Sequence, residues 1–481
     1  MENLKGKFTQ SLTFKGIIIA FFIFFSFSTK LSSQENPPHL KGKVKISISE
    51  GTFECNLTMS NIPWIQDYLI RLNNGMNILH FRSKKPNDFV LGYDWSSCQD
   101  STSTGETLAY FFPDNSGKGK FLPEEIQFRY VGKFPVATDT IENYSRFDWK
   151  GNIAFNGYSV RADGTQSAWY PYLYDVKNDI EYDKMTYDIE LTCEDCETIY
   201  INGHQPIQSS FAKIISQAPY ELALFCGKFG FIDDGNIIIL NSQYSKNEVQ
   251  QLSDIVSLYK KYYEQKLNIK FEQKLVFVNT TPTAPNYGWL FVSYPTIMGI
   301  GYGSDGLGAL FDPKVQEWYK HHIAHELSHY YFGTFKVFNS TLGDMMSEGF
   351  SEYVSLKLIE DLSGVELYNE KLEKKFEYLE NYITKPFSQI KLLADIEDRQ
   401  DFVYNYTPII FLAIEQEIGK EKMWEWLKAI LETKTEFTNY EFLVSTLKNT
   451  LQDNEKFNLI EKTYFSNENS TENALNKLIN K

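Results

Sequence analysis

The chain has 481 residues, enough for two or three domains, and its composition of 42% hydrophobic and 23% charged residues is typical of a globular protein with a sizeable core. This composition excludes a mostly disordered or fibrous protein. The formal net charge is −15, and residues 1–34 contribute +3, so the remainder carries −15 − 3 = −18. Because a strongly anionic protein repels phosphate backbones, we expect no nucleic-acid partner.

Residues 1–33 have the pattern of a secretory signal peptide. Lys5, Lys7 and Lys15 precede a mostly apolar run at 16–27, which gives way to small and polar residues. A helix over that run would extend roughly 18 Å, short of the roughly 30 Å hydrocarbon core of a bilayer. We therefore expect an exported protein that is secreted, periplasmic or at the cell surface. The alternative is an uncleaved segment that tethers the chain to a membrane.

The cysteines are too few for a disulfide scaffold in a chain of this length, even in the oxidising compartment that export implies. They are Cys55, Cys98, Cys193, Cys196 and Cys226. Cys193 and Cys196 have zinc-knuckle spacing, but no second Cys pair or His pair completes four ligands. We expect a local disulfide bridge or two buried thiols at this pair.

Residues 35–230 are expected to form a β-rich, antiparallel N-terminal domain. Apolar and polar residues alternate at 44–48 and again at 185–191, the pattern of half-buried strands. Turn-forming clusters such as Asn73-Asn74-Gly75 and Ala162-Asp163-Gly164 separate the segments.

Residues 231–450 are expected to form a mostly helical α/β domain, followed by a short helical tail at 451–481. Strands are predicted at 237–240 and 275–278. Between them, Ser245-x-x-Glu248 predicts the start of a helix with a capping box. The apolar residues of that helix fall on one stripe, namely Val249, Leu252, Val256, Tyr259 and Tyr263. A Pro/Gly-rich stretch at 281–308 precedes the remaining, helical part.

Four of the seven histidines lie within nine residues, namely His321, His322, His325 and His329. Asp312-Pro313 predicts the start of a helix here, and Gly333 predicts its end. His325 and His329 then lie one turn apart on one face, where two imidazoles can bind one ion. Glu326 completes the zinc-hydrolase pattern His-Glu-x-x-His as general base. The alternative is a buried helix whose histidines satisfy backbone groups. His321 and His322 are interpreted as solvated residues above the site.

A catalytic zinc needs a third protein ligand, and Glu348, which eighteen residues separate from His329, is the candidate. Asp344 predicts the start of a second helix that continues to about residue 362, and two helices joined by a short loop can bring this carboxylate to the ion. Three protein ligands leave a fourth position for water, so we expect one Zn²⁺ per chain. Glu352, one turn beyond Glu348, is either a residue that orients a ligand from behind or an exposed helix acid.

Residues 325–350 resemble the gluzincin family of alanyl-type zinc aminopeptidases, which carries His-Glu-x-x-His, eighteen residues and then Glu-Gly-Phe. The flanks agree, with Ile323-Ala324 before the motif and Tyr330-Tyr331-Phe332-Gly333 after it. Trp169-Tyr170-Pro171 and residues 220–229 are similar to parts of the family's β-rich N-terminal domain. The resemblance therefore covers most of the exported chain.

The resemblance implies an N-terminal antiparallel β domain followed by a thermolysin-like zinc peptidase domain over residues 231–450. It implies that His325, His329 and Glu348 bind zinc. It also implies that Glu326 takes a proton from water and passes it to the leaving amine.

A tyrosine before a long apolar helix donates to the oxyanion in this family. Residues 404–419 have that layout, and counting back from Gly419 places Tyr404 at the family position. A phenol donor aimed at the developing oxyanion suits a tetrahedral intermediate. Tyr406 is the second choice, and an aromatic residue that only packs in front of the helix is the alternative.

The sequence departs from the family where the substrate's α-amine is bound. The Gly-Ala-Met-Glu-Asn motif is replaced by residues 297–304, whose backbone at Gly299 and Gly301 is our candidate for substrate binding. In the family, an acid or amide of the N-terminal domain also binds the α-amine, and the matching position here falls near Ala168. Asp305 is the nearest carboxylate that can substitute for the missing amine-binding groups. Met345 and Ser347 replace the family's Trp and Asn before the third ligand. Strict aminopeptidase specificity is therefore in doubt.

We expect an exported zinc metallopeptidase, aminopeptidase-like in fold, with peptides as its substrates. The large helical C-terminal domain of the family is expected to be missing after Gly419, which leaves an open cleft. Activity on blocked or internal peptide bonds is expected to be at least comparable to activity on aminoacyl reporters. The alternatives are a non-catalytic peptide-binding relative and a zinc hydrolase of a non-peptide small molecule.

Overall fold

The computed structural model describes residues 37–83, 92–93, 107–137, 153–178, 180–280, 289–300 and 307–479. The signal-peptide segment, Cys98, Gly301 and Asp305 lie outside these residues, so what was predicted for them stays a prediction. Within the described ranges, every helix is too short or too polar to cross a bilayer.

The first part of the chain is built of strands, with one helical turn, α1 Gly164–Ser167. The strands are β1 His39–Ser47, β2 Thr52–Ser60, β3 Tyr68–Asn73, β4 Met76–Ser83, β5 Gly92–Tyr93, β6 Thr107–Phe111, β7 Ile126–Lys133, β8 Ile153–Phe155, β9 Ser159–Ala162, β10 Tyr172–Asp175, β11 Ile180–Tyr182, β12 Met185–Cys193, β13 Thr198–Ile201, β14 Phe211–Tyr220 and β15 Leu224–Gly227. They form sheets in the orders β14-β12-β1-β2-β7-β4, β11-β10-β3-β6-β5 and β13-β15-β9-β8. Their ladders are antiparallel, except that β1 and β12 pair in parallel.

The three sheets enclose one apolar core. The predicted alternation holds in β12, where Tyr187, Ile189 and Leu191 are buried and their neighbours are partly exposed. Trp169 is fully buried in this core, and its indole N–H donates to the carbonyl of Leu222 at 2.6 Å. A buried indole needs such an acceptor, so this bond fixes the chain after α1 against the strand that follows Leu222.

The cysteines of the β-rich part confirm the prediction of a local bridge. Cys193 and Cys196 form a disulfide with Cα atoms 5.4 Å apart, whereas Cys55 and Cys226 are buried free thiols.

A fourth, mixed sheet follows, in the order β16-β17-β18-β20-β19. Its strands are β16 Phe231–Asp233, β17 Ile237–Leu240, β18 Leu275–Thr280, β19 Trp289–Ser293 and β20 Thr296–Ile300. The strands β17, β18 and β20 run parallel, and β16 and β19 are antiparallel to their neighbours. Helix α2 Lys246–Leu267 connects β17 to β18 and begins at the predicted capping box, where the Glu248 carboxylate accepts from the Ser245 N–H at 2.7 Å.

The fourth sheet packs one face on the β-rich part. Tyr200 and Phe225 of that part share a small apolar core with Ile238, Val276 and Met298. The core lies between β13 and β15 on one side and β17, β18 and β20 on the other. The β-rich part therefore supports the sheet that precedes the histidine helix.

The remaining chain is helical. The helices are α3 Gln316–Ser328, α4 Gly343–Leu362, α5 Val365–Leu379, α6 Arg399–Asp401, α7 Thr407–Ile418, α8 Lys420–Glu432, α9 Tyr440–Leu451, α10 Asn454–Ile460 and α11 Ser470–Ile479. Short 3₁₀ turns occur at Leu307–Phe311, Phe387–Gln389 and Leu393–Asp395, and π-helical turns occur at Phe402–Tyr406 and Glu461–Phe465. The apolar helix α7 lies in the core, where Phe411 stacks on Phe350 of α4 with ring centroids 4.5 Å apart. The predicted fold class, a β-rich region followed by a mostly helical α/β region, is confirmed.

The helix that carries the histidines differs at both ends from the prediction. It begins at Gln316 rather than at Pro313, because Asp312 closes a separate turn, with its carboxylate accepting from the Lys314 N–H at 2.9 Å. It ends at Ser328, and the left-handed backbone of Gly333 (φ 124°) comes only after a further turn. A Cβ atom at position 333 would meet the Ser347 hydroxyl at 2.9 Å, so glycine lets this turn approach α4.

Candidate metal centre

His325 in helix α3 and His329, the helical-backbone residue that directly follows α3, lie together as predicted. Both side chains are buried, their ring centroids are 4.9 Å apart, and their Nε2 atoms are 3.1 Å apart. One helical turn separates the two residues, so their rings project from the same face of the helix.

Helix α4 supplies the third group. Oε2 of Glu348 lies 3.1 Å from Nε2 of His325 and 3.4 Å from Nε2 of His329. Donor atoms at about 2.0–2.1 Å from a tetrahedral zinc ion lie roughly 3.3 Å from one another. The three atoms therefore have the mutual spacing that one zinc ion needs, and their residues form one of the groups in the described chain that can hold a metal.

The outer nitrogens of both imidazoles are held by acceptors. Nδ1 of His325 donates to Oε2 of Glu352 at 2.9 Å, and Nδ1 of His329 donates to the carbonyl of Phe332 at 3.0 Å. A neutral imidazole that carries its proton on Nδ1 has its lone pair on Nε2. Both rings are therefore oriented to bind a metal through Nε2, which is the arrangement that outer hydrogen bonds enforce in metal sites.

The electrostatics of the three groups favour a positive charge between them. Burial alone lowers the pKa of His325, but hydrogen bonds to Glu348 and Glu352 outweigh burial and raise that pKa to about 10. Without a metal, the ring therefore holds a proton on Nε2, and a metal ion would take the place of this proton. Burial alone raises the pKa of the Glu348 carboxyl, but His329 and His325 hold it well below its usual range. Glu348 is therefore ionised, and the point that it shares with the imidazoles suits a divalent cation.

Glu326 lies next to the first of these histidines and is 7% exposed. Burial raises the pKa of its carboxyl to about 7, against the opposing effect of His325 and His329. Within the described part of the chain, its carboxylate has no hydrogen-bond partner, in contrast to Glu348 and Glu352. This carboxylate is thus free to exchange a proton near neutral pH.

Tyr404 and Tyr406 have different environments. The ring of Tyr404 lies 5.7 Å from the His325 ring, in the π-helical turn before α7, and burial beside Glu348 raises the pKa of its phenol, so it is protonated. Tyr406 is fully buried in the helical core, and its hydroxyl lies 2.8 Å from the Ser470 hydroxyl. Only Tyr404 of this pair is next to the candidate metal centre.

Glu352 lies behind His325 rather than on an exposed helix face. Its Oε1 accepts from Nζ of Lys375 at 2.7 Å and lies 3.6 Å from Nε2 of His321. The His321 side chain is only 12% exposed, and its Nε2 lies 3.0 Å from the Ser355 hydroxyl, so it is not a solvated residue above the site. His322 packs on the half-exposed ring of Trp318, with ring centroids 3.8 Å apart.

Two cations at the site were not foreseen from the sequence, namely Lys375 and Arg399. Arg399 donates through Nε and Nη2 to the carboxylate of Asp344, at 2.7 Å each, and its Nη2 lies 3.4 Å from Oε1 of Glu348. Its guanidinium carbon lies 5.7 Å from the centre of the Tyr404 ring. Neither cation belongs to a spaced motif, so only the packing of α5 and α6 on α4 reveals them.

Gly299 lies in β20, between β18 and β19, and pairs with Asn279 and Leu290. A Cβ atom at Gly299 would lie 3.0 Å from the backbone nitrogen of Leu307, so glycine permits a close approach there. Among the described strands, β19 is one edge of this sheet and β16 is the other. A role of Gly299 in substrate binding stays a prediction.

No protein-family model matches this chain, and no curated protein is significantly similar to it in sequence. Solved structures do share its fold. Yeast LTA4 hydrolase matches with a TM-score of 0.60 at 11% identity, over 89% of this chain and 66% of that chain. The M1 zinc metallopeptidase from Deinococcus radiodurans matches with a TM-score of 0.54 at 12% identity, over 88% and 93% of the two chains.

Legionella pneumophila aminopeptidase A, solved in complex with aspartic acid, matches with a TM-score of 0.59 at 13% identity, over 90% of this chain and 50% of that chain. The chain thus spans slightly less than two thirds of the yeast hydrolase and half of the Legionella enzyme. At these identities the likeness concerns the fold alone. The chain has the fold of the M1 zinc metallopeptidases.

Proposed function

We propose that this protein is a zinc-dependent metallopeptidase that hydrolyses peptide bonds. The observation that carries the proposal is the convergence of Nε2 of His325, Nε2 of His329 and Oε2 of Glu348, at 3.1–3.4 Å from one another. The outer hydrogen bonds of both imidazoles support it, because they leave the Nε2 lone pairs for a metal. The fold likeness to zinc metallopeptidases adds support.

In this proposal, a zinc ion on His325, His329 and Glu348 supplies Lewis acidity, which makes water more acidic and polarises a carbonyl group. Glu326 takes the proton of the attacking water and later gives it to the leaving amine. Its burial and its pKa near neutrality support this exchange in both directions. The protonated phenol of Tyr404 donates a hydrogen bond to the oxygen that becomes negative during attack.

We further propose that the substrates are peptides and that a free α-amine is not strictly required. A solved complex of the Deinococcus enzyme holds a Tyr-Ser-Ala substrate, which supports a peptide as substrate class. No Glu occurs between Gln273 and Gln316 of this chain, the stretch in which the family's amine-binding acid is expected. A cationic amine in a dry pocket needs an opposing carboxylate, so the missing acid favours tolerance of blocked peptides.

The test combines metal analysis with turnover. Purified protein is expected to bind about one zinc per chain, to cleave an internally quenched fluorogenic peptide, to lose activity with a chelator and to regain it with zinc. A protein that binds zinc and peptide without turnover would instead be the peptide-binding relative. Turnover of an ester but of no peptide would favour the non-peptide hydrolase, an alternative that the likeness to a hydrolase named for LTA4 keeps open.

We also propose that the chain is exported. The three lysines that precede the apolar run at 16–27 support this proposal. Sequencing the N-terminus of the protein recovered from its native host is the test, with a start near residue 34 expected. An intact Met1 on membrane-bound protein would favour the tether.

A further inference from the structure

We propose that Lys375 is a positioning residue that holds the candidate metal centre and Tyr404 in one arrangement, an inference that rests on the proposed function. It goes beyond the roles assigned so far, because Lys375 lies on α5 and touches neither the three donor atoms nor Glu326.

Lys375 contacts two parts of the site at once. Its Nζ donates to Oε1 of Glu352 at 2.7 Å and to the carbonyl of Tyr404 at 2.6 Å. The other oxygen of Glu352 accepts from Nδ1 of His325 at 2.9 Å. One ammonium group thus links a candidate metal ligand, through one carboxylate, to the backbone of the candidate oxyanion donor.

Because these groups are buried, water cannot easily replace either partner of the ion pair. Lys375 is 10% exposed and Glu352 is 7% exposed. A buried ammonium without an anion or a carbonyl acceptor is strongly unfavourable. Lys375 has both, and this fixes its position on α5 relative to α4 and to the turn that carries Tyr404.

The ammonium also holds Glu352 in the position that His325 requires. Lys375 contacts Oε1 of Glu352, which leaves Oε2 to accept from Nδ1 of His325. A histidine whose Nδ1 is held in this way presents its Nε2 to a metal. Without the ammonium, we expect a displaced Glu352 and a less firmly oriented imidazole.

Full-length Lys375→Met is compared with Lys374→Met, the neighbouring substitution on the same helix. Lys374 is 61% exposed and pairs with Glu370 at 2.9 Å, so it is the matched control. We expect zinc affinity, measured by competition with a chromogenic chelator, to fall roughly tenfold to a hundredfold in Lys375→Met. At saturating zinc we expect kcat to fall at least tenfold with little change in KM, because Tyr404 loses its anchor. Lys374→Met is expected to match the wild type in both.

Two further variants separate positioning from general loss of stability. Lys375→Arg keeps the charge and the donors, so it is expected to recover most of the zinc affinity. In a Glu352→Gln background, Lys375→Met is expected to add little further loss of zinc affinity but still to lower kcat, because the contact with Tyr404 is independent of Glu352. Lys375→Gln replaces Lys375→Met if circular dichroism shows that the latter does not fold.

The outcomes distinguish the two proposals. A wild-type protein that binds no zinc would overturn the proposed function, and this inference with it. A wild type that binds zinc, together with a folded Lys375→Met or Lys375→Gln protein of equal zinc affinity and equal kcat, would overturn the inference alone. Equal losses in Lys374→Met would also overturn it.

Discussion

Arg399 lies 3.4 Å from Oε1 of Glu348, the carboxylate oxygen opposite to the one that faces the two imidazoles. Glu348 is thus approached by cationic or cation-binding groups on both of its oxygens. The Arg399 side chain is 51% exposed, and its guanidinium also lies over the Tyr404 ring, with Cζ 5.7 Å from the ring centre.

Arg399→Leu is expected to lower kcat roughly tenfold to a hundredfold at saturating zinc. A positive charge beside Tyr404 stabilises the negative charge that grows during attack, and leucine removes that charge. Steady-state kinetics with a fluorogenic peptide measures the effect, and zinc content is measured in parallel.

The control for this substitution is Arg129→Leu, because Arg129 is similarly exposed and pairs with Glu54 on the β-rich part. It is expected to leave kcat unchanged. Arg399→Lys restores the charge without the paired donation to Asp344, so a partial recovery is expected. Wild-type kcat in Arg399→Leu would contradict the assignment.

Glu326→Gln is expected to lower kcat on the order of a thousandfold while one zinc per chain is retained, because the amide cannot accept the proton of water. Zinc is measured by atomic emission and turnover by peptide cleavage. Loss of zinc together with activity would mean that Glu326 supports the metal rather than the proton transfer.

Tyr404→Phe and Tyr406→Phe form a matched pair in one turn of the chain. Removing the Tyr404 hydroxyl is expected to lower kcat roughly a hundredfold to a thousandfold with little change in KM. Removing the Tyr406 hydroxyl leaves the buried Ser470 hydroxyl without this partner, so we expect about 1 kcal/mol lower free energy of unfolding and unchanged kcat. Steady-state kinetics and urea denaturation of both variants measure these effects. A large loss of kcat in Tyr406→Phe, with unchanged kcat in Tyr404→Phe, would assign the oxyanion contact to Tyr406.

Glu352→Gln is expected to weaken zinc binding roughly tenfold to a hundredfold, because the amide is a weaker acceptor for Nδ1 of His325 and carries no charge. Glu373→Gln, at an exposed position on α5, is the control and is expected to bind zinc as the wild type does. Isothermal titration calorimetry with zinc measures both. Equal affinities would show that Glu352 does not orient the ligand.

N-terminally acetylated peptides are expected to be cleaved at rates at least comparable to those of the same peptides with free amines. The physical reason is that the stretch before α3 lacks the Glu that is expected to bind the amine, so a cationic amine is without its expected partner there. Mass spectrometry of a paired peptide panel identifies the cleavage sites. Exclusive removal of N-terminal residues from the free peptides would rule out this specificity.

The three metal-binding candidates were predictable because helical periodicity fixes His325 relative to His329, and because the spacing to Glu348 matches a known family. Tyr404 was chosen as the candidate oxyanion donor by counting back from Gly419, and that role stays a prediction. These inferences need only local geometry or a motif. The proximity of Tyr404 to the His325 ring, and the distance of Tyr406 from it, needed the structure.

Lys371 and Lys375 show why the other charged residues near the site were not predictable from the sequence. A lysine on an amphipathic helix is ordinarily expected on the solvent face, yet both are buried on α5. Lys375 pairs there with Glu352 at 2.7 Å, which is a consequence of how α5 packs on α4. The start of α3 was also predicted wrongly. Asp312 caps a separate turn before the helix, and the sequence pattern of such a turn is the same as that of a helix start.

The small apolar core between β13, β15 and the fourth sheet has a consequence for the whole chain. Tyr200 and Asn202 of the β-rich part contact the Thr296 hydroxyl at the start of β20, and the Asn202 amide donates to the carbonyl of Tyr294 at 3.0 Å. Strands far earlier in the sequence thus help to stabilise the fourth sheet, which precedes the histidine helix. A fragment that began at the fourth sheet would expose the apolar face of that sheet and be prone to aggregate. The β-rich part and the fourth sheet are therefore expected to unfold as one cooperative unit.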